Sequence, residues 1–242
     1  MTSYPLLQPH WPAPANIRAY TTLRTQGDLS QFHAVRNGLY DIQKNRDLIK
    51  QELKLPCQPI WLNQSHTTIA IPALFENTDK NADAGYTDQP NSVCVALTAD
   101  CLPILLCHRD GTHVAAIHAG WRGLGAGIIE STLKALNVNP EDLLVWLGPA
   151  ISQANYEVGE EVRELFISHD SEAAQAFIPS PEGRWLADLY QLARMRLTQQ
   201  GVTAIYGGNY CTFADPERFY SFRRDKGYYG NMATLIWMTA PK

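Results

Sequence analysis

The sequence predicts an α+β protein, a single-domain layered sandwich of mixed or antiparallel β-sheet flanked by helices. Three observations favour this fold. Several short apolar runs follow one another near the middle of the chain, helical patterns are interspersed among them without a regular strand-helix alternation, and no repeat or linker divides the 242 residues. We therefore expect one catalytic domain over residues 1–242.

The first half of the chain contains one predicted helix and four predicted strands. The helix is NRDLIKQEL at 45–53, and PIWLNQSH at 59–66 is typical of a strand that runs into a loop. FENTDKNADAGYTDQPN at 75–91 is rich in turn residues and is predicted to be irregular. Three apolar runs have the length of buried strands: SVCVALT, LPILLCH and THVAAIHA.

Helical spacing begins at Gly127 and ends at the Asn-Val-Asn-Pro that follows Leu136. LLVWLG is predicted to be the next strand, and GEEVRELFIS and LADLYQLARMRL the next two helices. The second of these helices has one apolar face, formed by Leu189, Leu192, Ala193 and Leu197. VTAIYGG and MATLIWMT are predicted to be the last strands.

Composition narrows the classes of partner. A net charge of -4 without charge runs gives no reason to expect nucleic acid or an acidic membrane surface, so we expect a small-molecule partner and no obligate protein partner. Five cysteines, an odd number without framework spacing, favour a reducing compartment. With no basic leader and no apolar run of about 18 residues, the chain is expected to be cytoplasmic.

The Asp-Gly pair between two apolar runs predicts a hairpin with a two-residue type I′ turn at 109–112. Its register places Pro103 opposite His118, so that Cys101 and His118 share one face of the sheet. His108 and His113 share the other face, where we expect two polar residues beside an exposed turn and no chemistry.

Cys101 lies diagonal to His118 in this register, at about 7–8 Å between Cα atoms, so both side chains can reach one ion or one reacting atom. Buried packing is the alternative for Cys101, and it is the interpretation we adopt for Cys107, about 20 Å away at ~3.3 Å per residue. Asp100 is expected to point to the opposite face, and we assign it no proton-transfer role.

A glycine-rich turn with Gly120, Gly123, Gly125 and Gly127 follows His118 and precedes a helix. Its amides, together with the guanidinium of Arg122, are suited to binding phosphate. The pattern matches neither the dinucleotide fingerprint nor the P-loop, and close helix packing is an equal alternative for these glycines.

Several consecutive motifs resemble the YfiH-like family of bacterial proteins, whose members carry the labels laccase-domain, polyphenol oxidase, peptidoglycan editing factor and purine nucleoside phosphorylase. The motifs are TADCLPILL, AAIHAGWRGLGAGI, WLGPAI, YEVGEEVRELF, LADLYQLARMRL and FYSFRRDKGYYGNMATLIW. The resemblance runs from about Gln58 to the C-terminus, so the motif-bearing region is about 58–242.

The resemblance implies a zinc site formed by His66, Cys101 and His118, with Cu²⁺ as a substitute ion. Three nitrogen and sulfur ligands leave the fourth tetrahedral position open, as in catalytic zinc sites. The implied reactions are phosphorolysis of adenosine, inosine and methylthioadenosine, and some adenosine deamination, with nucleoside and phosphate as partners.

Roles within this site are assigned on that basis. Cys101, His118 and Arg122 are expected to be catalytic. The expected phosphate-binding residues are Arg122, Gly123, Gly125, Arg223 and Arg224. A surface ion-pair site is the alternative interpretation of the two adjacent arginines.

The chain departs from the family pattern in three places. Thr67 stands where glycine is usual, Gly230-Asn231 replaces a Gly-Arg pair, and the segment from Thr22 to Asn45 is short, with RNGLYD as the only remnant of a Ser-Leu-Asn-Leu-Gly stretch. We expect one substrate contact to differ, and the resemblance defines the N-terminal part of the pocket least well.

Other functions remain open at this point. Cys101 activated by His118 is the centre of a hypothetical amidase-like enzyme that edits peptidoglycan precursors. A non-catalytic binding role is a third hypothesis. Copper polyphenol oxidation is disfavoured, because seven histidines without any His-X-His pair do not supply the ligands of a multicopper array.

Overall fold

Three β-sheets and the helices around them form the described part of the chain, residues 6–31, 39–74, 80–226 and 230–240 of this computed structural model. The strands in these ranges are β1 Ile17–Thr21, β2 Ala70–Pro72, β3 Ala84–Thr87, β4 Val93–Thr98, β5 Leu102–His108, β6 Val114–Ala119, β7 Leu143–Leu147, β8 Glu157–Val158, β9 Phe177–Ser180, β10 Arg184–Ala187, β11 Ala204–Gly207 and β12 Met232–Met238. The α-helices are α1 Leu39–Glu52, α2 Trp121–Ala126, α3 Ile128–Leu136, α4 Glu160–Ile167, α5 Leu189–Gln199 and α6 Phe222–Asp225.

The largest sheet has six strands in the order β11-β7-β5-β6-β3-β2. It is mixed, because β11 pairs with β7 and β2 pairs with β3 in parallel, whereas the pairs in between are antiparallel. A second, antiparallel sheet has the order β1-β12-β4, and a third has the order β8-β10-β9.

The two larger sheets stack face to face, with helices on both outer faces. Side chains of β5 alternate between the two sides: Leu105 belongs to the apolar cluster shared with the second sheet, whereas Ile104 belongs to the cluster that contains the buried residues of α3, α4 and α5. On the far side of the second sheet, Ile49 of α1 and Val95 of β4 belong to one apolar cluster. Because the central strands are covered on both faces, their sequences are almost continuously apolar. The predicted α+β sandwich is confirmed.

Most predicted elements are present. The structure contains the strands predicted at 92–98, 102–108, 112–119, 143–148, 202–208 and 232–239, and the helices predicted at 45–53, after Gly127, and in 159–168 and 186–197. The four apolar residues of α5 are all buried. Strand β1 and the small β8-β10-β9 sheet were not predicted.

The strand predicted at 59–66 is wrong. Ile60 and Leu62 are buried as expected, but this segment forms no strand. The side chain of Gln64 instead accepts a hydrogen bond from Leu97 N at 2.8 Å and donates one to Leu97 O at 2.7 Å. Burial of apolar residues therefore produced a strand-like pattern without strand pairing.

The stretch 75–91, predicted to be irregular, contains β3, which pairs with both β2 and β6. Small residues such as Ala84 and Gly85 fit between these neighbours but give no strand signal in the sequence. Residues 75–79 and the first half of the RNGLYD segment, 36–38, lie outside the described residues.

The hairpin turn is not type I′, although its register is as predicted. That type needs positive φ at both central residues, and within 109–112 only Gly111 has it, at 75°. Gly111 N bonds to His108 O at 2.9 Å, and Asp110 Oδ1 accepts from Thr112 N at 3.0 Å.

None of the helices in the described ranges is long and apolar enough to cross a membrane.

Candidate metal centre

A cavity of about 390 Å³ lies at the C-terminal ends of β4 and β6, beside the residue that precedes β12. Its walls carry the three predicted metal ligands, two arginines and three aromatic side chains: His66, Cys101, His118, Arg122, Arg223, Trp121, Tyr156 and Phe222. This volume is in the range of small-molecule sites.

His66, Cys101 and His118 form a cluster in which one ligand atom from each residue lies within 4.8 Å of the others. The Sγ of Cys101 is 3.6 Å from Nε2 of His66. Ligands bound to one tetrahedral zinc at 2.0–2.3 Å are about 3.5 Å apart. The sulfur and the His66 nitrogen therefore already have the spacing that one shared ion requires.

The β5–β6 hairpin positions two of these ligands. Pro103 pairs with His118 in the observed register, and Cys101 is two residues before Pro103 on the same face. The convergence of Cys101 and His118 predicted from strand alternation is therefore confirmed.

His66 is held in place by the carboxylate of Asp83. The backbone of His66 has a positive φ of 64°, which is unusual for a residue other than glycine. Asp83 accepts hydrogen bonds from the backbone N–H groups of Ser65, His66 and Thr67, at 3.3, 3.0 and 2.6 Å. The hydroxyl of Thr67 donates a fourth at 2.7 Å, a contact that glycine at this position cannot make.

The same carboxylate orients His118. Oδ1 of Asp83 lies 2.7 Å from Nδ1 of His118, and both side chains are buried. Burial raises the pKa of Asp83, but hydrogen bonds from His118 and Thr67 outweigh burial and lower the pKa overall. Since an ionised carboxylate only accepts hydrogen bonds, Nδ1 carries the proton and Nε2 is left to bind an ion.

Cys101 and His118 stabilise opposite charges on each other. Burial is the largest single cause and raises the pKa of the Cys101 thiol, but the charges of His118 and His66 and the hydrogen bonds to both histidines together outweigh it and lower the pKa to about 6. Burial lowers the pKa of His118, whereas Cys101 and Asp83 raise it to a net value above its usual range. A thiolate at this position suits both a metal ligand and a nucleophile.

Gly120 allows the ligands to come together. A Cβ atom at this position would lie 2.4 Å from Cδ2 of His66 and 2.9 Å from Sγ of Cys101. Its φ of -70° is open to any residue, so close approach and not backbone conformation requires glycine here.

Asp100 was expected to point to the opposite face of the sheet, but it lies between β4 and β5, outside both strands, and lines the same cavity. Its φ is 91°, and its carboxylate accepts hydrogen bonds from Oγ1 of Thr212 at 2.6 Å, Oγ of Ser221 at 3.0 Å and the backbone N of Arg223 at 2.7 Å. Asp100 thus fixes the start of α6, which brings Arg223 and Phe222 to the cavity.

The structure separates the predicted phosphate-binding residues. Arg122 and Arg223 line the cavity: the former lies over the ring of Trp121 at 4.2 Å, and the latter donates to Glu157 O at 3.0 Å. Arg224 is engaged elsewhere, with Asp225 and with three backbone carbonyls, those of Thr212, Phe213 and Phe219. This supports the ion-pair interpretation for Arg224.

Gly123 and Gly125 also do not line the cavity. They are buried inside α2, where a Cβ at Gly125 would lie 2.5 Å from Cδ2 of Leu165 and a Cβ at Gly123 3.2 Å from Thr67 O. The segment predicted to be a glycine-rich turn is therefore the short helix α2, and close packing explains these two glycines.

The residues given no chemistry lie away from the cavity. His108 bonds to Asp110 in the hairpin turn, and Cys107 is buried between the two large sheets. Several residues of the site were not found from the sequence, among them Asp83, Thr98, Trp121, Tyr156 and Phe222. A carboxylate partner for a ligating histidine is a general expectation, but no sequence spacing identifies Asp83 as that partner.

Comparison with known sequences agrees with the family resemblance that the motifs indicated. The family model described as "Multi-copper polyphenol oxidoreductase laccase" matches residues 29–239, so the match begins well before Gln58. A Pseudomonas aeruginosa protein named as a purine nucleoside phosphorylase is 46% identical over 241 residues, covering 96% of this chain and 98% of the relative. The Escherichia coli protein named purine nucleoside phosphorylase YfiH is 44% identical, with the same coverage.

Solved structures agree with the fold. The Neisseria meningitidis protein NMB0706 superposes with a TM-score of 0.89 at 41% identity, covering 97% of this chain and 99% of that chain. The Bacillus licheniformis protein YfiH superposes with a TM-score of 0.83 at 25% identity, covering 92% and 93%.

Proposed function

Because the chain belongs to the YfiH-like laccase-domain family, we propose that it is a zinc-dependent purine nucleoside phosphorylase. The observation that carries the proposal is the His66, Cys101 and His118 cluster in the wall of a cavity that also carries two arginines. The names of the Pseudomonas aeruginosa and Escherichia coli relatives support the reaction class.

The donor set fits zinc. Two imidazole nitrogens and one thiolate are ligands that zinc prefers, and copper is an alternative ion for the same set. Nε2 of His66, Sγ of Cys101 and Nε2 of His118 would hold the ion, and Asp83 would orient the two histidines. When bound, zinc supplies a Lewis acid with one open coordination position.

The two arginines are suited to the phosphate co-substrate. In phosphorolysis an oxygen of phosphate forms a bond to C1′ of the ribose, while the bond from C1′ to N9 breaks and its electron pair leaves with the base, which takes up a proton. Arg122 and Arg223 offer charge-assisted donors that hold the attacking phosphate. Trp121, Tyr156 and Phe222 offer flat apolar surfaces for the nucleoside. We expect inosine, adenosine and methylthioadenosine as substrates.

Adenosine deamination is the expected side activity. In that reaction water adds at C6 of the base and the amino group leaves as ammonia. The same cavity serves both reactions if the bound nucleoside presents either its C1′ or its C6 to the reactive centre.

One observation favours a second candidate function. The Cys101 thiol lies beside two histidines, and its lowered pKa is the property of a nucleophilic cysteine. An amidase-like enzyme that edits peptidoglycan precursors would use this sulfur for attack on an amide carbonyl. A zinc-bound thiolate is a poor free nucleophile, so the two functions exclude each other at this atom.

Copper polyphenol oxidation has less support despite the description of the family model. Within the described residues, His66, Cys101 and His118 form the only group of three or more His, Cys, Asp or Glu side chains with metal-site spacing. A multicopper array needs several such groups with many histidines.

The test is an assay of base release with purified, zinc-loaded protein and inosine. We expect hypoxanthine and ribose 1-phosphate in the presence of phosphate, and no release without it. Loss of zinc on replacement of Cys101 with alanine, together with loss of release, supports the proposal. A metal-free protein with an alkylatable Cys101 and no base release contradicts it and favours the amidase.

A further inference from the structure

Thr98 has a buried hydroxyl group with no partner. It is the last residue of β4, it is 1% exposed, and it lines the cavity. Its Oγ1 makes no hydrogen bond to any part of the chain that the structure describes. Buried hydroxyl groups nearly always have a partner, and an unmet one lowers stability. In a cavity wall, a bound ligand can supply that partner.

Thr98 and Asn231 are uncharged polar residues of the cavity wall. Thr98 pairs with Met232 in the β4–β12 register, and Asn231, which precedes it, lines the same cavity. Asp28 Oδ1 accepts from the backbone N of Asn231 at 2.8 Å and from that of Ser30 at 3.1 Å, which joins these segments.

Charged side chains of the cavity wall gather around Tyr156. Cζ of Arg223 lies 5.4 Å from the ring centroid of Tyr156, and the charges of Cys101, Asp100 and Arg122 also act on the Tyr156 hydroxyl. The carboxylate of Asp100 also lies there, because it accepts a hydrogen bond from the backbone N of Arg223. Charged groups of both signs are thus near Tyr156, whereas Thr98 and Asn231 carry no charge.

We propose that Thr98 determines specificity for the purine base, with its Oγ1 hydrogen-bonded to the substituent at C6. This inference rests on the proposed phosphorylase function. With phosphate held by Arg122 and Arg223, the Thr98 hydroxyl remains as an unpartnered polar group of the cavity wall for the base. A hydroxyl group is both donor and acceptor, so it pairs with a 6-oxo group as a donor and with a 6-amino group as an acceptor. One residue therefore accommodates inosine and adenosine.

Three variants test the proposal. Thr98→Val removes the hydroxyl and keeps the shape, whereas Thr98→Ser keeps the hydroxyl. Thr234→Val is a matched control in the neighbouring strand, because Oγ1 of Thr234 is bonded to Oγ1 of Thr21 at 2.9 Å and both residues are fully buried. Each variant is assayed with phosphate and inosine, and with purine riboside, which lacks a substituent at C6, as substrate or competitive inhibitor.

We expect Thr98→Val to lower kcat/KM for inosine roughly 10- to 100-fold. Its effect on purine riboside should be less than about threefold, and Thr98→Ser should retain most of the activity on inosine. The melting temperature of ligand-free Thr98→Val should not fall, since no bond in the protein is lost. Thr234→Val should melt at a lower temperature and keep its kcat/KM, because it leaves Thr21 without a partner.

Three results would overturn the inference while wild-type phosphorolysis stands: unchanged kcat/KM for inosine in Thr98→Val, an equal loss with purine riboside, or a drop in melting temperature like that of Thr234→Val. If the wild-type enzyme releases no base at all, the proposed function fails and the inference about Thr98 fails with it.

Discussion

Oδ1 of Asp83 lies 2.7 Å from Nδ1 of His118, and the same carboxylate accepts the backbone N–H of His66. One side chain therefore orients both histidines of the candidate metal centre. His118 comes from the central hairpin and His66 from an irregular segment, so Asp83 also fixes these two parts of the fold relative to each other.

Replacing Asp83 with asparagine should weaken zinc binding roughly 10- to 100-fold. The amide keeps one acceptor, but its NH₂ group meets N–H donors that the carboxylate now satisfies. Competition with a chromophoric chelator measures the affinity. Asp88→Asn is the matched control, because Asp88 is exposed and bonds to the neighbouring Gln89 side chain. Equal zinc affinities of the two variants would contradict this role of Asp83.

Replacing Gly120 with alanine should displace the metal ligands without unfolding the protein. The added Cβ would lie within 3 Å of His66 and Cys101, and a misplacement of about 1 Å can cost about 100-fold in rate. Zinc content and kcat are measured beside the far-ultraviolet circular dichroism spectrum. Gly85→Ala is the control, since a Cβ there has its nearest neighbour at 3.9 Å. A fully active Gly120→Ala enzyme would show that the ligands tolerate this contact.

Arg122 and Arg224 should respond differently to replacement with methionine. Arg122 lines the cavity, so its loss should raise KM for phosphate about tenfold with little change in stability. Arg224 bonds to Asp225 and to backbone carbonyls, so its loss should lower the free energy of unfolding by about 3 kcal/mol. Steady-state kinetics and urea unfolding measure the two effects, and the opposite pattern would reverse the assignment of the two arginines.

The sequence was most informative where structure is local and periodic. Alternation along two apolar strands placed Cys101 and His118 on one face, and the observed register confirms it even though the turn between the strands has another type. The register depends on the two strands and on the number of residues between them, so it did not depend on the turn conformation.

Contacts between distant segments could not be predicted in this way. His66 takes its position from hydrogen bonds to Asp83, which is in a stretch whose turn-rich composition concealed strand β3. Only the family resemblance pointed to His66. A glycine at position 125 is compatible with either a phosphate-binding loop or a packed helix. Only its close approach to Leu165 of α4, seen in the structure, distinguishes the two. The orphan hydroxyl of Thr98 is visible only once all its neighbours are placed.

Zinc content per chain tests the proposed centre most directly. Wild-type protein should retain about one zinc ion per chain after dialysis, and Cys101→Ala less than about a tenth of that, because the ion loses its thiolate. Cys107→Ala should retain a full complement, since Cys107 is buried in the core and burial raises the pKa of its thiol to about 12. Full zinc occupancy in Cys101→Ala would contradict the assignment of Cys101, His66 and His118 as one metal site.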